Sequence, residues 1–259
     1  NQKLVPILNP LGRKMKEQEI IKFAKDCEAI IAGTDPLTKK VIDKLPNLKI
    51  ISRVGAGLDS VDLKACKKRD IKVTFTPDAP TEAVSELTLG LIFSLLRSIH
   101  ISNGNLREGK WEKYTGKNLN DITFGIIGFG RIGKSLHSKL KKIGAKNFLI
   151  HDDYEKEKCM DKTIKFTSKN TLLKESDLIS IHIPLTKKTK GYLGKKELTS
   201  MKKNAFLINT ARGGIINEKD LLSTLNKGYF SGVALDVFEL EPYKGPLIKV
   251  ERCLLTSHL

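Results

Sequence analysis

The sequence predicts an α/β fold built on parallel sheets. Short, continuous apolar runs recur along the chain, and runs of this kind are typical of strands that are buried on both faces. After each run comes a turn, and then a segment whose apolar residues repeat with helical spacing. Strands that alternate with helices in this way are the pattern of parallel-sheet proteins, so the order of the segments predicts the α/β class.

The apolar runs that predict strands are spread over the whole chain. They are Ala29–Ala32, Leu48–Arg53, Ile71–Phe75, Ile122–Ile127, Phe148–His151, Leu178–Ile183, Ala205–Asn209, Val233–Val237 and Cys253–Thr256. A strand with one solvated face would alternate apolar with polar residues, whereas these runs are mostly continuous. We therefore expect most of the strands to lie inside a sheet that is covered on both sides.

Two amphipathic helices are predicted in the second half of the chain. In the first, a single stripe of apolar side chains would face the sheet, and Gly144 would end the helix. The stripe consists of Ile132, Leu136, Leu140 and Ile143. In the second, Asn217 would cap the amino end and Gly228 would follow the carboxyl end.

The domain boundary is predicted after an unusually apolar helix. Residues 81–97 have helical spacing but are apolar nearly all round, which is typical of a helix buried in a core or between domains or subunits. A polar stretch, residues 98–120, follows and contains the only tryptophan, Trp111. We therefore place a first domain at residues 1–97 and a second at residues 98–259, and we expect a homodimer.

The composition argues against several classes of function. The formal net charge is +17, but the lysines are scattered in pairs beside apolar segments, so we interpret them as solvated surface and expect no nucleic-acid partner. No apolar run reaches the ~18–20 residues that a membrane helix needs. The cysteines, Cys27, Cys66, Cys159 and Cys253, are too dispersed for a metal or redox motif. We therefore expect no metal, no membrane partner, and free thiols in the cytoplasm.

A glycine-rich turn between a predicted strand and a predicted helix indicates a dinucleotide site. Gly128, Gly130 and Gly133 form the motif GxGxxG. The first glycine permits a tight turn, the second lets the backbone approach a pyrophosphate, and the third lets helix and strand pack closely. Asp152 lies 19 residues after Gly133, where a carboxylate binds the adenosine ribose. Because that carboxylate would repel the additional phosphate of NADP, the motif predicts NAD.

Seven segments, in the same order, resemble the D-isomer-specific 2-hydroxyacid dehydrogenases. They are residues 53–62, Thr76-Pro77 with Glu86, residues 128–133, residues 182–189, residues 209–214, residues 236–242 and residues 256–258. The resemblance covers residues 48–259 and implies two Rossmann-like domains, one flavodoxin-like and one NAD-binding, with parallel sheets and a cleft between them. Family chains continue beyond His258, so we expect the first domain to be incomplete and a C-terminal return segment to be absent.

The resemblance implies catalytic roles for three polar side chains. Arg212 would bind the substrate carboxylate with its forked guanidinium. His258 would be the general acid/base at the C2 hydroxyl, and Glu241 would be its carboxylate partner. Each of them follows a predicted strand, where open parallel sheets bind ligands. The chain departs from the family pattern at Ser60 and Ser257, where asparagine and proline are usual.

The resemblance also implies contacts to the cofactor and the substrate. The cofactor would contact Gly128, Gly130, Arg131, Ile132, Gly133 and Asp152, and its pockets would be lined by Thr76, Ile183, Pro184, Thr210, Ala211 and Asp236. The backbone of Val54, Gly55 and Ala56 would bind the substrate carboxylate, since glycine allows close approach. Arg53 would pair with a phosphate dianion.

These roles imply an NAD-dependent enzyme that transfers a hydride between a D-2-hydroxy acid and the nicotinamide. Arg53 favours 3-phosphoglycerate, and thus the phosphoglycerate branch of the family. Two alternatives stay open: a reductase of glyoxylate, hydroxypyruvate or another small anionic 2-keto acid, and an NAD-sensing corepressor-like binding protein. The sequence has no added interaction segment to favour the latter.

Overall fold

The computed structural model describes residues 5–153 and 161–259, which fold as two compact units. The first unit is Asn1–Pro80 and the second is Thr81–Leu259. Each unit has its own parallel sheet. The parallel-sheet α/β class that the sequence predicts is therefore confirmed.

The described residues of the first unit form a three-stranded parallel sheet with helices between the strands. Its elements are helix α1 (Glu17–Phe23), strand β1 (Ala29–Ala32), helix α2 (Lys39–Asp43), strand β2 (Ile50–Arg53), helix α3 (Leu63–Lys68) and strand β3 (Lys72–Phe75). The strands are in the order β1-β2-β3. Parallel neighbours require a crossover connection, which α2 and α3 provide. Val41, Ile42 and Ile51 are fully buried in the core of this unit.

The described residues of the second unit form a seven-stranded parallel sheet. Its strands are β4 (Thr123–Ile127), β5 (Asn147–His151), β6 (Ile164–Phe166), β7 (Leu178–Ile181), β8 (Phe206–Asn209), β9 (Gly232–Leu235) and β10 (Cys253–Leu255). Its α-helices are α4 (Thr81–Leu96), α5 (Ile99–Arg107), α6 (Arg131–Lys142), α7 (Lys169–Glu175), α8 (Lys195–Ser200) and α9 (Glu218–Asn226). Short 3-10 helices occupy Leu119–Asp121 and Pro246–Lys249.

The strand order of the larger sheet, β10-β9-β8-β7-β4-β5-β6, changes direction at β4. From β4 the chain proceeds outward to β5 and β6, and then returns to place β7 on the other side of β4. Open parallel sheets bind ligands outside the carboxyl ends of the strands at such a point. The topology therefore places the loops after β4 and β7 next to each other, at the edge where a ligand is expected.

Apolar side chains cover both faces of the larger sheet. Every position of β7, β8 and β9 is buried. On one face, strand residues such as Ile126 pack with Ile92 of α4 and Leu136 of α6. On the other face, strand residues such as Ile179 pack with α7, α8 and α9. Burial of each such side chain contributes about 1.5–3 kcal/mol, so the two apolar layers hold the strand ends in place.

The nine predicted strands are all present, and where their bounds differ from the prediction they differ by one or two residues at an end. Strand β6 was not predicted. It has only three residues, with a lysine between two apolar residues, and it lies at the edge of the sheet. A run this short has too little periodicity to be recognised.

The two predicted amphipathic helices are present, but Ile143, assigned to the apolar stripe of the first, follows the last residue of α6 and is 46% exposed. In α6, Leu136 and Leu140 are fully buried, and Gly144 follows the helix with a φ of 106°. In α9, the Asn217 side chain accepts a hydrogen bond from the Asp220 backbone N–H at 3.0 Å. This bond satisfies one of the N–H groups that every helix leaves without an internal partner at its amino end.

Helix α4 belongs to the second unit, so the unit boundary lies before this helix and not at the predicted junction after residue 97. The reason is the packing of the helix. It contacts α6, β8 and β9, and Leu91, Ile92 and Leu95 are buried in the same cluster as these strands. The helix is also less buried than its composition predicts, because Glu86 is exposed and Phe93 is 37% exposed.

Three further findings concern membranes, thiols and metals. Within residues 5–153 and 161–259, no single helix is long and apolar enough to cross a membrane, and α4 and α5 meet that criterion only as a pair bent by 63°. Cys27, Cys66 and Cys253 are free thiols, while Cys159 lies outside the described residues. In the described part of the chain, no cluster of three or more His, Cys, Asp or Glu side chains is placed to hold a metal ion.

Candidate active site

The predicted site residues of the second unit follow the carboxyl ends of six strands. Residues 128–133 follow β4, Asp152 follows β5, Ile183 and Pro184 follow β7, residues 210–212 follow β8, Asp236 and Glu241 follow β9, and His258 follows β10. Because these strands are parallel, their carboxyl ends lie at the same edge of the sheet. The fold therefore gathers residues that are far apart in the sequence along one edge.

The turn after β4 needs glycine at two of its three glycine positions for steric reasons. Gly128 has a φ of 93°, and a Cβ there would lie 2.5 Å from the main-chain oxygen of His182. A Cβ on Gly133 would lie 2.3 Å from the Gly128 oxygen. Around Gly130, in contrast, a Cβ would meet no heavy atom within 4 Å. The turn is thus tightly packed underneath and open where a ligand would approach.

The open side of this turn has the features of a dinucleotide site. The cap residue of α6 is Gly130, which provides no side-chain bond to the first turn of the helix. The positive end of the helix dipole and the first-turn N–H groups favour an anion there. Asp152 Oδ2 accepts a hydrogen bond from the Phe129 N–H at 2.6 Å, which holds the carboxylate beside the turn. A pyrophosphate and its adjoining ribose fit this arrangement.

The loop after β7, the strand next to β4, packs against the glycine turn. Ile183 lies against this turn. The His182 ring is paired through Nε2 with Ser180 Oγ at 2.9 Å, and burial lowers the pKa of His182 to about 4, so the ring is neutral at pH 7. The Thr189 hydroxyl donates to the Pro184 oxygen at 2.6 Å, which holds the start of the loop.

The loop after β8 is shaped by hydrogen bonds from the Asn209 side chain. Its Oδ1 accepts from the Ala211 N–H at 3.1 Å, and its Nδ2 donates to the Arg212 oxygen at 2.9 Å. Arg212 itself is partly exposed, and its Nη1 donates to the Ala211 oxygen at 2.7 Å. Thr210 is buried, and its hydroxyl pairs with that of Thr88 in α4 at 2.9 Å. The backbone beneath Arg212 is therefore fixed.

Gly213 lets the loop after β8 lie directly against the loop after β9. A Cβ on Gly213 would lie 2.0 Å from the carbonyl carbon and the oxygen of Phe238. Any other residue would push the two backbones apart. Arg212 lies on the first of these loops and Glu241 on the second, so this glycine determines how closely the two charged residues can approach.

Glu241 and His258 are in direct contact. His258 Nδ1 lies 2.9 Å from Oε2 and 3.1 Å from Oε1 of Glu241. Glu241 Oε1 also accepts from the Phe238 N–H at 3.2 Å, which anchors the carboxylate. The two side chains are 27% and 34% exposed, so a ligand can reach them. A carboxylate on Nδ1 fixes the orientation of the imidazole and leaves Nε2 for a ligand.

The residues predicted to bind the carboxylate and the phosphate of the substrate lie in the first unit, at the end of β2 and directly after it. Val54 and Ala56 are exposed. The Gly55 N–H donates to Thr76 Oγ1 at 2.7 Å, and the Thr76 N–H donates to the Gly55 oxygen at 3.2 Å. Arg53 is only 6% exposed, and its Nη1 donates to the Val54 oxygen. The guanidinium thus lies beneath the turn, where it supports the backbone.

Three residues that shape the site have no role in the sequence-based assignment: His182, Asn209 and Thr256. Each stands in the same motif as an assigned residue and within two positions of it. Their position beside assigned residues is the sequence signal that could have identified them. What the sequence does not show is which side chain bonds to which backbone group, because that depends on how the loops fold.

Comparison with known proteins gives a family model, close relatives and solved structures. The model of the NAD-binding domain of D-isomer-specific 2-hydroxyacid dehydrogenases matches residues 89–259. The glyoxylate reductase of Thermofilum pendens is 38% identical over 254 residues, which are 93% of this chain and 74% of that protein. The D-3-phosphoglycerate dehydrogenase of Methanocaldococcus jannaschii is 37% identical over 251 residues, which are 94% of this chain but 48% of that protein.

A solved structure has the same fold over nearly the whole chain. The D-lactate dehydrogenase from Aquifex aeolicus, complexed with NAD and lactic acid, matches with a TM-score of 0.83 and 32% sequence identity. The match covers 95% of this chain and 78% of that structure. The similarity therefore extends over both units, beyond the part matched by the family model.

We expect Gly133→Ala to weaken NADH binding by about tenfold or more, a loss of ~1.4 kcal/mol. The new Cβ would lie 2.3 Å from the Gly128 oxygen, so α6 would have to move away from β4. NADH fluorescence titration measures the effect. Gly104→Ala is the matched control, because a Cβ at Gly104 meets no atom within 4 Å. A Gly133→Ala variant that binds NADH as tightly as the unaltered protein would contradict this account of the turn.

Proposed function

Because the chain belongs to the D-isomer-specific 2-hydroxyacid dehydrogenases, a family of NAD-dependent oxidoreductases, we propose that it transfers a hydride between C2 of a D-2-hydroxy acid and the nicotinamide of NAD. The observation that carries this proposal is the contact of Glu241 with His258 Nδ1 at 2.9 Å. The pair lies at the same sheet edge as the glycine turn. A paired acid/base beside a dinucleotide site is what oxidation of a hydroxyl group requires.

In the proposed holoenzyme, residues at the carboxyl edge of the larger sheet would hold NAD. The N–H groups of Arg131 and Ile132 would bind the pyrophosphate, and Asp152 would bind the adenosine ribose. Within the second unit, the pockets would be lined by Ile183, Pro184, Thr210, Ala211 and Asp236. When bound, NAD supplies the nicotinamide that accepts or donates the hydride. The open space around Gly130, beside the closed packing of Gly128 and Gly133, supports this placement.

His258 is the general acid/base of the proposed reaction. In the direction of oxidation, Nε2 takes the proton of the C2 hydroxyl as the hydride leaves C2. Glu241 holds the ring through Nδ1, and its negative charge complements the imidazolium that forms. In the direction of reduction, the same nitrogen returns the proton to the former keto oxygen. A positioned acid/base of this kind typically contributes about 10²–10⁴-fold to the rate.

Arg212 recognises the acid group of the substrate. The forked guanidinium of Arg212 binds a carboxylate bidentately and polarises the 2-keto oxygen. Its backbone is fixed by the two bonds from Asn209, so the side chain starts from a defined position.

For the substrate itself, we propose a small 2-keto acid of the glyoxylate or hydroxypyruvate type. The case for 3-phosphoglycerate depends on Arg53, yet this residue is 6% exposed and bonded to the Val54 oxygen. The similarity to a glyoxylate reductase over 74% of its length also supports a small substrate. The phosphoglycerate alternative is supported by the 37% identical relative, of which this chain spans 48%.

We further propose that the protein is a homodimer. Phe93 in α4 is 37% exposed, Ile99 and Leu106 in α5 are 53% and 58% exposed, and Trp111 is 81% exposed. A contiguous apolar patch on a protein surface is typical of an interface, and we propose that these side chains contribute to one. They support the homodimer that the apolar composition of α4 predicts.

The substrate assignment predicts the order of kcat/KM in a panel of 2-keto acids with NADH. We expect glyoxylate and hydroxypyruvate to be reduced more efficiently than 3-phosphohydroxypyruvate, because Arg53 is buried beneath its own turn. Oxidation of NADH, followed at the nicotinamide absorbance, gives the values. A clear preference for the phosphorylated acid would overturn this assignment and restore the phosphoglycerate alternative. Absence of turnover with every acid in the panel would overturn the enzymatic role.

Substitution of Arg212 and substitution of His258 should impair different kinetic constants. Arg212→Lys keeps the charge but loses the fork, so KM for the 2-keto acid should rise more than kcat falls. His258→Asn cannot transfer a proton, so kcat should fall by about 10²–10⁴-fold. Steady-state kinetics of both variants test this pattern. Near-normal kcat in His258→Asn would show that another group is the acid/base.

Asp152 should determine the preference for NAD over NADP. The unaltered protein should favour NADH, because the carboxylate repels the additional phosphate of NADPH. Asp152→Asn removes the charge but retains an oxygen that can accept from the Phe129 N–H, so it should narrow the ratio of the two kcat/KM values. Asp152→Ala also loses that bond and should weaken both cofactors. An unaltered protein that prefers NADPH would contradict the role of Asp152.

A further inference from the structure

We propose that Thr256, acting through Asp236, is a positioning residue that holds the backbone of His258 in its active conformation. The inference rests on the acid/base role proposed for His258. It adds a residue that does not contact the reacting atoms and that the sequence analysis left without a role. Thr256 lies two positions before the histidine, at the end of β10.

Asp236 bonds to the chain on both sides of His258. Its Oδ1 accepts from the Thr256 hydroxyl at 2.6 Å and from the Leu259 N–H at 3.0 Å. Asp236 is 2% exposed, so the carboxylate that accepts these bonds is buried. Hydrogen bonds to a carboxylate are shorter and stronger than those between neutral groups. The same oxygen therefore ties together two residues of the chain, one before His258 and one after it.

Strand pairing places the two partners of the hydroxyl bond side by side. Strands β9 and β10 are parallel, with Leu235 opposite Leu255, and the Thr256 N–H continues the ladder by donating to the Leu235 oxygen at 3.0 Å. Asp236 directly follows the end of β9, and Thr256 directly follows the end of β10. Their contact is therefore set by the sheet, and the sheet is the rigid part of the unit.

The backbone of His258 needs such a restraint. Its φ is 60°, in the left-handed region that residues with a Cβ seldom adopt. Residues in this region keep their conformation only where the surrounding structure holds them. The bonds from Asp236 to the residues on either side supply this restraint. Glu241 then fixes the ring through Nδ1, so backbone and ring are held by separate carboxylates.

Loss of the Thr256 hydroxyl should therefore reduce catalysis more than binding. Without it, Asp236 bonds to this segment only at the Leu259 N–H, on the far side of His258, and His258 can return to a negative φ. That change turns the Cα–Cβ bond and moves the imidazole away from Glu241 and from the substrate oxygen. Small displacements of a catalytic group lower the rate by up to about 100-fold.

The test begins with Thr256→Val, which keeps the shape of the side chain and removes the hydroxyl. We expect kcat to fall between about 10- and 100-fold while KM for NADH stays within about twofold, and Thr256→Ser to recover most of the kcat. Thr224→Val is the matched control. Thr224 is buried and its hydroxyl donates to the Asp220 oxygen at 2.7 Å, within α9, so this variant should keep its kcat.

The decisive comparison repeats Thr256→Val in the His258→Asn background. If Thr256 acts through His258, the second substitution should lower kcat no further. An equal additional fall in that background would show that Thr256 acts elsewhere. Unchanged kcat in the single variant, failure of Thr256→Ser to recover activity, or a rise in the KM for NADH alone would also overturn the inference. His258→Asn alone tests the acid/base role of His258, so an error in that role can be distinguished from an error in the positioning role of Thr256.

Discussion

Parallel pairing of the seven strands in the second unit is the constraint on which the site depends. Since the strands run in one direction, every loop that follows a strand emerges at the same edge of the sheet. Residues as far apart in the chain as Gly128 and His258 lie along that edge because of this pairing alone. The pairing persists because both faces of the sheet are covered by apolar side chains. The chemistry of the loops thus rests on the apolar layers beneath them.

Above that edge, the loops are held by close packing at glycine and by side chains that bond to the backbone. Gly213 lets the backbones after β8 and β9 touch. Asn209 bonds twice to the loop that carries Arg212, and Asp236 bonds on both sides of His258. Such bonds replace the regular hydrogen bonding that loops lack. The charged groups of the site therefore project from backbones with few alternative conformations.

The sequence predicted the architecture well because most strands fall in continuous apolar runs and because α6 and α9 have a distinct apolar stripe or cap. It failed where the outcome depends on distant partners. The composition of α4 indicated burial, but not that the helix packs on the second unit. The contact between Asp236 and Thr256 depends on strand pairing across separate segments, which no local pattern reveals.

The central claim is that His258, held by Glu241, contacts the C2 oxygen of a 2-hydroxy acid beside bound NAD. A crystal structure of the protein with NADH and oxamate, an unreactive analogue of a 2-keto acid, tests it most directly. The account predicts His258 Nε2 within hydrogen-bond distance of the amide oxygen of oxamate, which takes the place of the keto oxygen, and the Arg212 fork on the carboxylate. Oxamate bound away from this sheet edge, or a keto oxygen facing a different titratable side chain, would contradict it.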